Sequence, residues 1–297
     1  MRKSTASPYL LYLITIPTVA VAMVALRTTA LLSGYEADLG RYANQTLSLI
    51  NGLLLLAAAG GLALLTHEMR ELFISNPNYR DLPTLFSGVF ASITLILFGI
   101  TLPLGVAAGE NRYAISLAVF SGIMALAAAL IFVFRSFNGT AKSGIFAILN
   151  LPITLLGVFF PFYLSFRNGV RIGDPAIAMA TVAWILIAFF FLGEARIALG
   201  RAMWGLHAYI TALTVITSAA LALPNLVYHL ANGEALLGNS EHDFAVLALF
   251  LYALARFFAV SCTARHERTT ATRFAMGEGE FATAPRVDES ADTEETV

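Results

Sequence analysis

The chain has 297 residues, of which 58% are hydrophobic and only 12% charged, and its formal net charge is −1. A soluble domain carries about 25% charged residues, so this composition leaves too little polar surface for a globule in water, and the near-neutral balance excludes a general attraction to nucleic acid. The single cysteine, Cys262, excludes an intrachain disulfide and any cysteine-pair metal site.

A spanning helix needs about 20 mostly apolar residues at 1.5 Å rise each, so the gaps between charges delimit the spans. In chain order they fall at residues 8–26, 47–66, 85–108, 113–134, 145–166, 175–193, 203–228 and 244–264. The first follows Arg2 and Lys3 and superficially resembles a signal peptide. Its apolar run, Tyr9 to Leu26, exceeds the 7–15 residues of a secretory core, which favours an uncleaved span. None of the runs alternates apolar and polar residues as barrel strands do, and backbone groups in lipid must be bonded within the segment. The expected fold is therefore an all-α integral membrane protein: a bundle of about eight transmembrane helices with short loops over residues 1–264.

Lysine and arginine near span ends set orientation. With a cytoplasmic N-terminus, twelve fall on the cytoplasmic side and five outside (Arg27, Arg41, Arg112, Arg167 and Arg171), with Arg256 inside the membrane. Both termini are then expected in the cytoplasm. Residues 265–297 read as a disordered tail, basic then acidic and poor in apolar residues. Its arginines Arg265, Arg268 and Arg273 are suited to anionic headgroups.

The two lysines, Lys3 and Lys142, both lie outside the spans, which excludes a retinal Schiff base. GxxxxGK[ST], CxxC, HExxH and GxSxG do not occur. All 19 Asp and Glu residues fall in expected loops, span ends or the tail. Proton- and sodium-coupled carriers commonly keep a carboxylate within the bilayer, so this placement argues against that mechanism.

Arg256 is the strongest single signal. It lies eight residues, about 12 Å, before the end of the last span at Ala264. Placing arginine near a helix centre costs about 2.5–3.5 kcal/mol, which calls for a compensating carboxylate, row of carbonyls, wet cavity or anionic ligand. A structural arginine bonded to backbone carbonyls or a lipid phosphate is the competing reading. His207 and Asn150 lie at a similar depth in spans seven and five, and Glu194 ends span six. Glu194 is the natural partner for Arg256 if their helices adjoin. Arg256, Glu194, His207 and Asn150 thus form the candidate ligand-binding set.

His67 and His207 near one face, and His229 and His242 near the other, invite a haem or metal reading. His242 sits between Glu241 and Asp243 and reads as a loop residue, and His67 adjoins Glu68. Interfacial histidines are ordinary, so no cofactor, metal or catalytic site is expected. Pro152 and Pro161 interrupt span five, Pro103 lies in span three and Pro224 in span seven. Each removes a helical donor, and kinked helices are the simplest consequence. Ala57, Gly60 and Gly61 form a small-xxx-small pattern that permits close helix approach.

From Phe160 to Gly200 a proline-broken span leads through an Arg-containing loop and Asp174-Pro175 into a span ending in an acidic residue. This cadence resembles that of small uncharacterised bacterial multi-pass membrane proteins. The resemblance covers about 40 residues, implies a bacterial inner membrane and carries no activity with it. Three functional readings follow. The first is a protein that binds or transports a small or amphiphilic solute without direct use of ATP, around Arg256. The second is an accessory or scaffold subunit of a membrane complex. The third, a membrane-embedded lipid-modifying enzyme, ranks last for want of a nucleophile, metal cluster or carboxylate pair. The bilayer and a small-molecule or lipid ligand are the expected partners.

Overall fold

The computed structural model describes residues 6–36, 41–42, 45–68, 81–106, 110–138, 144–167, 174–201, 203–237 and 240–275. Their helices are α1 (Ala6–Leu32), α2 (Gln45–Glu68), α3 (Leu82–Leu104), α4 (Arg112–Asn138), α5 (Gly144–Leu149), α6 (Leu151–Phe166), α7 (Pro175–Ala198), α8 (Trp204–Asn232) and α9 (Ser240–Ala275). Eight segments are long and apolar enough to cross a membrane, with α5 and α6 together forming one. The chain is a helical-bundle integral membrane protein.

Helix starts follow local chemistry. Asp81 caps α3, accepting from the Thr84 N–H at 3.1 Å, and Asp174 caps α7, accepting from the Ala176 N–H at 2.8 Å. Each is followed by a proline in the first turn, where no N–H is needed. Of the two prolines in the fifth span, only Pro152 coincides with a break. Its ring crowds the carbonyl one turn earlier, and the helix is interrupted at Asn150. Pro161, Pro103, Pro224 and Pro17 lie within continuous helices.

The spans α3, α4, α6, α7, α8 and α9 close into a ring, each packed on the next and α9 back on α3. Helix α1 packs on α8 from outside, and α2 lies against α1 and α8. Burial follows this order: 78% of the α8 span is buried and 17% of α2. Being covered on most sides, α8 turns two of its threonine hydroxyls back onto its own backbone. Thr211 and Thr217 each donate to the carbonyl one turn back, at 2.7 and 2.8 Å. The ring interior holds Phe98, Phe132, Phe160, Trp184, Phe190, Phe191 and Tyr252, all 2% exposed or less.

Close backbone approach occurs at glycines other than the expected ones. A Cβ on Gly99 of α3 would lie 2.9 Å from the Gly122 carbonyl of α4, and one on Gly157 of α6 would lie 2.6 Å from the Trp184 carbonyl of α7. Around Gly60 and Gly61 there is open space to 4 Å. The small-residue pattern of α2 therefore makes no helix contact, because α2 is peripheral.

Charges proved poor markers of where helices end. Helix α1 continues past Arg27 to Leu32, and α9 begins at Ser240, so His242 is a buried helical residue rather than a loop residue. Residues 265–275, expected in the disordered tail, continue α9. Extending a formed helix needs no new nucleus, and Ala, Arg and Glu favour it. The expected tail at 276–297, and Arg2, Lys3, Arg70, Arg80, Lys142, Arg171 and Arg286 of the orientation argument, lie outside the described residues. A feature the sequence did not suggest is a short antiparallel pair, Tyr35–Glu36 with Arg41–Tyr42. Tyr35 packs there against Tyr42 and Tyr228, and its hydroxyl lies 3.1 Å from both Asp174 carboxylate oxygens.

Candidate functional site

Glu194, near the C-terminal end of α7, is the hub of one polar cluster. Its Oε1 lies 3.4 Å from Arg256 Nε of α9 and 3.2 Å from His207 Nε2 of α8. Its Oε2 lies 3.5 Å from a terminal nitrogen of Arg135, at the end of α4. Arg135 also donates to Asn150 Oδ1 at 3.0 Å and to the Tyr252 hydroxyl. Asn150 sits where Pro152 breaks the fifth span, and its amide nitrogen donates to the Phe146 carbonyl at 2.7 Å. Tyr252 and Arg256, four residues apart, project from one face of α9. Gly193 makes room for this arrangement: a Cβ there would collide with His207 Nδ1.

The structure thus brings Arg256, Glu194, His207 and Asn150 into one connected group. Arg135 and Tyr252 belong to it equally. In the sequence Arg135 is one of the twelve basic residues at span ends or in the tail that mark the cytoplasmic side, and Tyr252 carries no distinguishing signal. The group is sealed: Arg256, Glu194 and Asn150 are 0% exposed, His207 3% and Arg135 8%. Arranged this way the residues clamp α4, the α5–α6 break, α7, α8 and α9 to one another and offer no open face to a solute.

Open space lies at the other end of the bundle. A cavity of about 470 Å³ is enclosed by α3, α6, the start of α9 and the segment before it. Phe98, Leu102, Phe160 and Leu164 form its apolar wall, and Thr101, Tyr163, Arg167, Glu110, Glu241 and His242 its polar one. This volume falls within the 300–1,000 Å³ typical of small-molecule sites. The backbone reason is a fold-back after α8. Gly233 ends α8 at φ +74°, a left-handed conformation that glycine adopts without strain. Arg167 then holds the returning chain by donating to the Leu237 carbonyl at 2.7 Å. Helix α9 consequently starts inside the bundle, and His242 reaches Trp184, nine residues or about 14 Å from the start of α7.

Behind His242 runs a second buried polar chain. Trp184 Nε1–H donates to His242 Nε2 at 3.0 Å, and His242 Nδ1 lies 3.0 Å from Asp243 Oδ1. Asn225 Nδ2 donates to the same oxygen at 2.8 Å, and Asn225 Oδ1 accepts from Arg27 at 2.8 Å. Arg27 also donates to the Ala220 and Leu221 carbonyls, at 2.6 and 3.2 Å. All five side chains are 2% exposed or less. Sequence reasoning missed this group because each charge lies near a span end. The buried Asp243 and Glu194 remove the ground for excluding a carboxylate-dependent mechanism.

Among the described residues no group of three or more His, Cys, Asp or Glu side chains is placed to hold a metal ion. No protein-family model matches the sequence, and comparisons with curated proteins and with solved structures give no match either.

Proposed function

We propose that this protein binds a small amphiphilic solute in the cavity beside His242 and moves it across the membrane without direct use of ATP. The observation that carries the reading is the shape of the space. A mixed polar and apolar cavity enters the ring from one end, and the Glu194 cluster closes the ring at the other. Between them lies an aromatic layer of Phe132, Phe190, Phe191 and Tyr252. Passage then requires the layer to part and the Glu194 contacts to open, with the cavity closing in exchange. In this reading the candidate residues Arg256, Glu194, His207 and Asn150 act as an inner gate that meets the solute when open. The lysine and arginine bias puts both termini in the cytoplasm, so the cavity faces outward; a bacterial inner membrane accords with the resemblance in the α6–α7 region.

Native mass spectrometry of the protein released from nanodiscs, with a thermal-shift screen of small amphiphiles, tests this. A retained mass, or a stabilising solute, is expected for the parent and not for Thr101→Trp, which fills the cavity. Absence of any bound species in both measurements, or binding indifferent to Thr101→Trp, overturns the proposal.

A further inference from the structure

The chain from Arg27 to Trp184 has donor-only groups at both ends, and this fixes every hydrogen in it. A guanidinium has no acceptor and an indole N–H none either. Arg27 therefore orients Asn225, taking its Oδ1 and turning Nδ2 toward Asp243. Asp243 Oδ1 is thereby an acceptor, so the Nδ1 of His242 that faces it carries the proton. At the far side Trp184 donates to His242 Nε2, which must present its lone pair. His242 is held as the neutral Nδ1–H tautomer, its orientation set by partners on both sides.

One more proton cannot enter through His242 without breaking the chain. If the imidazole keeps it, both ring nitrogens are donors. If Nδ1 instead passes its own proton to Asp243, Nε2 still ends as N–H. In either case Nε2–H faces the Trp184 N–H across 3.0 Å, two donors with no acceptor between them. The Trp184–His242 contact must then part. Asp243 can receive the transferred proton on Oδ1, the oxygen that faces Nδ1 at 3.0 Å, where the new O–H donates back to the bared nitrogen.

We propose that His242 with Asp243 is a proton-binding site on the cavity wall, and that proton uptake there releases Trp184 and is coupled to solute binding. The coupling rests on the solute-binding reading above; the proton site rests on the geometry alone. His242 lines the cavity, which gives the proton a route from water, while Asp243 lies behind it. The charged and titratable groups that share the cavity or the hydrogen-bonded chain with His242 are Asp243 and Glu241 from α9, Arg27 of α1 through Asn225 of α8, Tyr163 of α6 with Arg167 just beyond it, and Glu110 ahead of α4. Helix α3 contributes Phe98 and Thr101, and α7 contributes Trp184. The released indole would shift the cavity floor, because Trp184 packs on Phe98 and Phe160 at centroid distances of 6.2 and 5.2 Å.

The protein contains two tryptophans, Trp184 and Trp204, so Trp204→Phe leaves Trp184 as the sole reporter. Its fluorescence in nanodiscs, without added solute, is followed from pH 8 to pH 5, where histidine ordinarily titrates. The expected result is a one-proton change in emission that disappears when His242→Gln or His242→Asn is added. Emission independent of pH in the Trp204→Phe protein overturns the proton site, and needs no further variant to fold. A titration that persists unchanged in whichever histidine variant retains its gel-filtration profile overturns it too. A confirmed titration with solute binding that is the same at pH 8 and pH 5 overturns the coupling alone. Failure of the cavity to bind solute leaves the Trp184 result standing by itself.

Discussion

Glu194 and Arg256 meet in a fully buried contact, Oε1 to Nε 3.4 Å, between helices that both pack on α8. The same two helices are linked again by Trp184 and His242, ten residues earlier on α7 and fourteen earlier on α9. Two braces about 15–20 Å apart along the bundle thus tie α7 to α9 at the cavity floor and at the sealed end. Movement of α9 relative to α7 must break one or both.

The Glu194 carboxylate lies between the guanidinium groups of Arg135 and Arg256, 3.5 and 3.4 Å from them. Glu194→Gln leaves them close together in the interior, and breaking a buried pair costs about 3–5 kcal/mol. Unfolding in mixed micelles with rising SDS should show a loss of this size. Adding Arg256→Gln should cost less than the sum of the singles. The charge exchange, Glu194→Arg with Arg256→Glu, should fail to rescue, because Arg135 and His207 also face position 194. A Glu194→Gln protein as stable as the parent would refute the clamp.

Gly193→Ala introduces a Cβ that collides with the His207 ring, itself stacked on Phe190 at 5.5 Å. Overpacking of this kind costs about 1–3 kcal/mol. Gly61→Ala points into open space and should stay within about 0.5 kcal/mol of the parent. The same SDS titration compares the two, and equal effects would contradict the packing.

Asn225 is the link between Arg27 and Asp243. Asn225→Leu strips a partner from each of two buried charged groups, costing about 1–3 kcal/mol or more. Asn225→Asp, which keeps an acceptor for Arg27 but sets a carboxylate beside Asp243, should be no better tolerated. Thermal unfolding of the two variants checks both statements; a neutral Asn225→Leu would contradict the network.

Burial first, and then the Asp174 carboxylate beside it, raise the Tyr35 phenol above its ordinary value. The unfolded chain ionises Tyr35 near pH 10, whereas the folded chain holds it neutral beyond that. Stability from this neutral phenol is complete below about pH 10 and declines as pH rises further. Thermal unfolding between pH 9 and 11 should fall more steeply for the parent than for Tyr35→Phe. Parallel curves would show that Tyr35 is not the group responsible.

The amino-acid sequence is sufficient to show that the chain lives in a bilayer, how many spans it has and roughly where they run. Hydrocarbon demands long uncharged helices, and that constraint is local and additive. It also singled out Arg256, Glu194, His207 and Asn150, because polar groups inside apolar runs are costly wherever they pack. Helix packing is what shows that these four adjoin, that Arg135 and Tyr252 complete them, and that the cluster is closed while the cavity opens beside His242. It also showed that Arg27, His242 and Asp243 are interior. A charge near a span end looks like a boundary in one dimension. Whether it faces water or a neighbouring helix depends on which helices meet and how deep each begins, and the fold-back at Gly233 sets that depth for α9.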